Sequence, residues 1–261
     1  MAPKLTGARM LTNLAQLTTY SRPGSAIEAP LTHIRPHLTY FLTETLKIIS
    51  GKRKTNISTI SPLLGRALLE GMMTTLLFRL DEFRAITLLH FQSHKDFEHN
   101  RPNGVSINWS ADLVPNPSEE PKDLWKPTLS PSALSRALLS PYNDTVAWYP
   151  AFDRAADFLT ASGNSLGFPS VFTLEASVAM NRIRGEARQL YSFWSKGLHC
   201  EFFCMSPQIL DDLTCAEKLK RTVDILSDLA FMSNFLSTSP HKLPEKKAFK
   251  LYKGAKGCIH A

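Results

Sequence analysis

The chain predicts an all-α fold: an antiparallel helical bundle with an irregular Pro-rich insertion. Three observations carry this. Four segments place apolar residues at spacings of three and four, the period of a helix. Alternating apolar and polar runs of the strand type are scarce. The helix breakers are concentrated, with seven prolines (Pro102, Pro115, Pro117, Pro121, Pro127, Pro131 and Pro141) and Asn103-Gly104 inside residues 100–144.

The 261 residues suit one large domain, or one domain with a long insertion. A hydrophobic content of 43% is enough for a sizeable core. No apolar run reaches the roughly 18 residues that a membrane span needs. The first residues lack a continuous apolar stretch, so no secretory signal is expected. The net charge of +7 is unevenly placed. Residues 1–27 hold Lys4, Arg9 and Arg22 and no acid, and residues 241–261 hold six lysines against Glu245. The body between them is close to neutral, which argues against a broad nucleic-acid-binding face on it.

Taken in order, residues 1–29 read as a flexible basic N-terminal arm, with Leu5, Met10, Leu11, Leu14 and Leu17 making at most a weak helix. Residues 30–237 read as the bundle. Its first helix runs from Pro30 to Ser50, with Leu31, Ile34, Leu38, Phe41, Leu42, Thr45 and Ile49 on the apolar face and Gly51 as the stop. Ser61-Pro62 is a good N-cap and N1 pair. The helix it opens is apolar nearly all round, so residues 63–80 are expected to be the most buried. Arg66 and Glu70 lie four apart on one column of it and are expected to be paired against the interior. The helix continues, with a kink near Asp81, to about Glu98. Residues 100–144 form the insertion, with a short helix at Pro131–Leu139. A helix follows at Asp144–Ser162, and another runs from Ala176 to about Ser206-Pro207. The last helix spans Pro207–Ser237. Residues 238–261 read as a basic C-terminal tail.

The helix from Ala176 carries the candidate chemistry. Met180, Ile183, Ala187, Leu190, Trp194, Leu198 and Phe202 form its apolar stripe. Arg188, Ser192, Ser195 and His199 follow the same spacing at its edge, with Tyr191 one turn above Ser195. A titratable ring, hydroxyls and a guanidinium thus line one seam, half in and half out of the core. Gly197 costs about 1 kcal/mol against alanine in a helix interior, which points to a close approach by another backbone or a ligand.

Metal chemistry has weaker support. His90 and His94 sit four apart, with Glu98 extending the column, and His33 and His37 repeat the spacing. A third ligand is not identifiable, so no metal and no other cofactor is expected. Cys200, Cys204, Cys215 and Cys258 lack CxxC spacing, which favours free thiols, a reducing compartment and a cytoplasmic location. His199 and Cys200 point about 100° apart on a helix and suit one ion poorly. Cys258-Ile-His-Ala261 has the position of a prenylation box, but His260 fills an aliphatic place poorly, so no lipid anchor is expected.

The segments Ser61-Pro-Leu-Leu-Gly-Arg66-Ala-Leu-Leu-Glu70 and Leu190-Tyr191-Ser-Phe-Trp194-Ser195-Lys-Gly-Leu-His199 resemble a pattern of HEPN-like domains in uncharacterised bacterial proteins. That pattern is R-x-x-x-E on an apolar helix, then Y-x-x-L-S-x-x-x-H on a later one. The resemblance covers residues 30–237, with 100–144 as an insertion, and Trp194 stands where leucine is usual. It implies an antiparallel bundle, often a homodimer. Many such proteins are metal-independent ribonucleases, or inactive derivatives, of toxin–antitoxin and anti-phage systems. Active members usually carry Arg followed by His after four to six residues; ten residues separate Arg188 from His199 here. The roles it implies are His199 as base, Arg188 or Arg66 as cation, Ser195 or Tyr191 as phosphate-orienting groups, and RNA as partner. Two other readings stand beside it. One is a non-catalytic helical interaction module, in which Arg66–Glu70 and Ser195/His199 are structural hydrogen bonds. The other is a metal-dependent helical-bundle enzyme using His90 and His94.

Overall fold

The computed structural model describes residues 7–95, 97, 113, 143–162, 170–199 and 210–260, the first five by backbone alone. Among these residues the fold is all-α: eight α-helices and no strand. They are α1 (Gly7–Thr18), α2 (Glu28–Ile49), α3 (Ile57–Leu80), α4 (Glu82–Gln92), α5 (Tyr149–Ala161), α6 (Ala176–Leu198), α7 (Asp212–Ser233) and α8 (Glu245–Ile259). A π-helical turn, Asn143–Trp148, leads into α5, and a 3-10 turn, Val171–Thr173, precedes α6.

The bundle is organised around α3, which packs on α7, α6, α2 and α4. Its sequence explains this, because Leu64, Leu68, Leu69, Met72, Met73, Leu76 and Leu77 leave it almost no polar face. The helix begins one turn earlier than Ser61-Pro62 suggests, behind Asn56 in the left-handed region (φ 57°). Asparagine is among the few residues that tolerate that conformation. Ser61 instead sits inside α3 and donates its hydroxyl to the Ile57 carbonyl at 2.7 Å. At the far end the expected kink is a break. Asp81 leaves helical geometry (φ −135°, ψ 87°) and its carboxylate caps α4 by accepting from the Arg84 amide at 3.1 Å. The helix α4 stops at Gln92, short of Glu98, which lies outside the described residues.

Both ends of the chain correct the expectation of loose tails. Leu14, Ala15 and Leu17 of α1 are fully buried, so residues 7–18 are a packed helix and not a flexible arm. Residues 245–259 are likewise a helix, with Ala248, Tyr252, Ala255 and even Lys256 fully buried. The two helices pack on each other. A β-carbon on Gly254 would lie 2.5 Å from the Asn13 amide nitrogen, which measures how closely they approach. Arg79 of α3 ties both ends to the centre. Its guanidinium, 1% exposed, donates to the carbonyls of Leu17 (2.8 Å) and His241 (2.7 Å), and burial lowers its pKa to about 10.

The remaining helices start where local chemistry allows. Asp211 accepts from the Leu213 and Thr214 amides, both at 2.9 Å, and opens α7 at Asp212, later than the expected Pro207. Glu175 caps α6 through the Ser177 amide. Asp144, in the π-helical turn before α5, pairs in the interior with Arg184 of α6, whose Nη2 donates to both carboxylate oxygens at 2.8 and 2.6 Å. The expected insertion lies outside the described residues except for Leu113 and Asn143–Asp144; the Leu113 carbonyl accepts from the buried Trp148 indole at 3.1 Å. The short helix expected at 131–139, Cys200, Phe202, Cys204 and the join at 206–207 are also outside them. Neither Cys215 nor Cys258 is in a disulfide.

Candidate functional site

Tyr191, Ser195 and His199 are spaced by four along α6, so they stand on one column rising about 6 Å per step. Arg66 and Glu70 form the matching column on α3. The helices run antiparallel here: Pro62 meets Gly197, and Gly65 meets Trp194. Both contacts rest on glycine. A β-carbon on Gly65 would lie 2.3 Å from Trp194 Cε2, and one on Gly197 would lie 2.8 Å from Pro62 Cγ. Trp194 cannot easily yield, because its indole donates to Thr222 on α7 at 3.1 Å. The close approach expected at Gly197 is therefore made by a proline of the neighbouring helix.

With the crossing fixed, the Arg66 guanidinium meets the whole α6 column. Its Nε donates to Glu70 Oε1 at 2.9 Å. One Nη reaches Ser195 Oγ at 3.3 Å and His199 Nε2 at 3.0 Å. The other donates to the Tyr191 hydroxyl at 3.3 Å, and Tyr191 donates to Glu70 Oε1 at 3.4 Å. The guanidinium carbon also lies 5.2 Å from the Tyr191 ring centroid, within cation–π range. A guanidinium only donates. His199 Nε2 must therefore be the acceptor, which requires the neutral ring with its proton on Nδ1.

The electrostatics favour a fixed cation. The Glu70 hydrogen bond holds the Arg66 pKa above its ordinary value. His199 is the C-cap of α6, so the partial negative end of that helix lies beside the guanidinium. The expectation that Arg66 and Glu70 lie against the interior needs correction. Their side chains are 21% and 45% exposed, so the pair lies at the rim of the α3–α6 seam. The cause is angular: Gly65, Leu68 and Leu69 take the inward directions of α3, and the Arg66–Glu70 column is turned away from them.

Of the residues singled out in the sequence, Arg66, Glu70, Tyr191, Ser195 and His199 come together. Arg188 stands three turns before His199, about 16 Å along the axis, so the cation beside the imidazole comes from the other helix. Ser192 is exposed. His33 and His37 are ring neighbours on α2, at 5.7 Å between centroids, and His90 is exposed on α4. Among the described residues no group of three or more His, Cys, Asp or Glu side chains could hold a metal ion. The glycine seats for Trp194 and Pro62 carried only a partial signal. Gly65 and Gly197 are glycines in helical patterns, but the sequence does not say what fills the space.

No family model matches the chain, and no curated protein or solved structure is significantly similar to it.

Proposed function

We propose that this is a HEPN-like RNA-cleaving effector that works without a metal. The observation that supports it is the 3.0 Å contact between the Arg66 guanidinium and the exposed His199 Nε2, at the rim of the α3–α6 seam with the half-buried Ser195 and Tyr191 beside them. Cleavage of RNA by its own 2′-hydroxyl needs a base for that hydroxyl and a cation for the charge that grows on the phosphoryl oxygens. In this reading a phosphodiester takes over the Arg66 N–H groups that now point at His199 and Ser195. The Nε2 lone pair is then released toward the 2′-hydroxyl. His199 accepts the proton, the 2′-oxygen bonds to phosphorus, and the bond to the 5′-oxygen breaks. That oxygen takes a proton from water, leaving a 2′,3′-cyclic phosphate and a 5′-hydroxyl. Glu70 holds Arg66 in place, and Ser195 and Tyr191 orient the phosphate. A homodimer belongs to the same reading and is read by light scattering.

The test is cleavage of a fluorescent single-stranded RNA in excess chelator. Wild type should release cyclic-phosphate ends. Loss of the base should slow cleavage about 10²–10⁴-fold in His199→Ala. Loss of the cation should slow it about 10²–10³-fold in Arg66→Ala. Both variants should keep their helical circular dichroism. An inert wild type with a destabilised His199→Ala would instead favour the non-catalytic interaction module, with the cluster acting as a structural hydrogen-bond network.

A further inference from the structure

The C-terminal helix α8 separates its lysines sharply. Lys256 is fully buried on the face that also carries Ala248, Leu251, Tyr252, Ala255 and Ile259. Lys246, Lys247, Lys250 and Lys253 are exposed on the opposite face. Lys246, Lys250 and Lys253 follow four–three spacing and form one ridge about 10 Å long. Lys242 continues the column before the helix and is exposed as well. Glu245 is the only acid of α8. The four exposed lysines of the helix form no ion pair among the described residues.

This arrangement works against the helix that carries it. Lys246 and Lys247 occupy the first turn, where the helix dipole favours anions. Like charges at three- and four-residue spacing repel one another. Burial lowers the pKa of Lys242, and Arg154 of α5 adds to that shift. Glu245 offsets part of this repulsion at Lys242, but the four exposed lysines of the helix gain no ion pair among the described residues, and the buried face holds the ridge against α1 and α7. A polyanion outside the chain would relieve it.

We propose that the α8 ridge of Lys246, Lys250 and Lys253, with Lys247 beside it, is a docking surface for the phosphate backbone of RNA. The choice of RNA rests on the function proposed above. The surface itself favours a nucleic acid over two other partners. An anionic membrane would call for exposed apolar anchors, and none of the exposed large apolar side chains is on α8. An acidic protein would call for an aromatic or arginine-rich centre, since interface cores are depleted in lysine. A ridge of lysines alone matches sequence-independent backbone binding.

The experiment titrates the full chain with a fluorescein-labelled 20-nucleotide 2′-fluoro-uridine RNA, which lacks the attacking hydroxyl, at several KCl concentrations. Each neutralised phosphate contributes about 0.7 to the slope of log K against log salt for single strands. K246Q/K250Q/K253Q should therefore reduce the slope by about 2, and weaken binding at least about tenfold at the lower salt concentrations. Melting curves establish that the variant folds, and the single variant K250E provides a second reading if it does not. Equal slopes and affinities in wild type and variants would overturn the proposal. So would capture of wild type by phosphatidylserine vesicles without binding to the RNA. A wild type that binds this RNA through the ridge, yet fails to cleave ordinary RNA, would uphold the ridge and remove the ribonuclease reading.

Discussion

Arg66 and His241 show how differently two polar residues can be placed in one bundle. The column of Tyr191, Ser195 and His199 was legible in the sequence because four-residue spacing on one helix is a local property. The pairing of Arg66 with Glu70 was legible for the same reason. That Arg66, and not Arg188, would meet His199 was not, since it depends on which helix packs where. Because the pair is at the rim, Arg66→Ala should lower stability by no more than about 1 kcal/mol in thermal or urea unfolding. A loss of about 3 kcal/mol or more would mean a buried pair. His241 is the opposite case. Its side chain is fully buried, and Nδ1 accepts from the Arg22 amide at 3.0 Å, so the neutral ring carries its proton on Nε2, 3.5 Å from Glu82. Burial, more than any other cause, lowers its pKa below 6.5; Glu82 opposes the shift, and the Arg79 and Arg22 charges add to it. The unfolded chain therefore binds this proton more readily than the folded one. Stability from this group is intact above about pH 6.5 and declines as pH falls through the depressed folded value. Urea unfolding between pH 7.5 and pH 5 should show a decline that is reduced in His241→Gln. Identical profiles would show that this ring does not contribute.

At the scale of elements, the 3.6-residue period located α2, α3, α6 and α7, because each carries large apolar side chains at regular spacing. It missed α8, where the inward face is built partly from Ala248, Ala255 and Gly254, and lysines dominate the composition. Small residues give a weak apolar signal yet allow the closest packing. The start of α3 differs from the expected one because Ser61-Pro62 is a good local cap, whereas the helix extends back to Ile57, whose side chain is buried and whose carbonyl accepts from Ser61. Two glycines provide a paired test of the crossing. Gly185 on α6 is exposed with open space around its missing β-carbon, so Gly185→Ala should stabilise the chain by about 0.5–1 kcal/mol. Gly65→Ala drives a methyl into the Trp194 indole and should destabilise it by about 1–3 kcal/mol despite the same helix-propensity gain. Denaturant melts of the two variants should move in opposite directions. A stabilised Gly65→Ala would mean that α3 and α6 do not cross as described. Since that crossing brings Arg66 to His199, Gly65→Ala should also slow any RNA cleavage.

For the molecule as a whole, the net charge is legible in the sequence, but its distribution in space is not. The basic excess of residues 241–261 looked like a solvated tail because lysine is rarely buried without a partner. The partners lie on another helix, beyond the reach of local pattern. Lys256 Nζ lies 2.5 Å from Asp224 and 2.9 Å from Asp228, both on α7. Tyr252 donates to Asp228 at 2.9 Å, His260 lies 3.0 Å from Asp224, and Arg221 joins Asp224 to Glu186 on α6. This network fastens the end of the chain across α6, α7 and α8. Burial works to raise the Asp224 pKa, but Lys256 and His260 outweigh it and hold that carboxyl below its ordinary range. Burial prevails at Asp228, which is raised although Lys256 and Tyr252 pull it back. Two carboxylates therefore depend on one buried ammonium. Lys256→Met keeps much of the side-chain volume and removes the charge, so Asp228 keeps the Tyr252 hydroxyl and Asp224 keeps Arg221 and His260, but both lose the buried ammonium they share. The expected cost is about 3–5 kcal/mol, or a melting temperature lower by roughly 10 °C for a chain of this size. Neutralising the acids in the same background should recover part of the loss, because the penalty comes from stranded charge and not from lost packing. Lys256→Met with Asp224→Asn and Asp228→Asn should thus melt above Lys256→Met alone. If the triple variant melts lower, the carboxylates stabilise the molecule mainly through Tyr252, His260 and Arg221, and Lys256 is not what fastens α8 to the bundle.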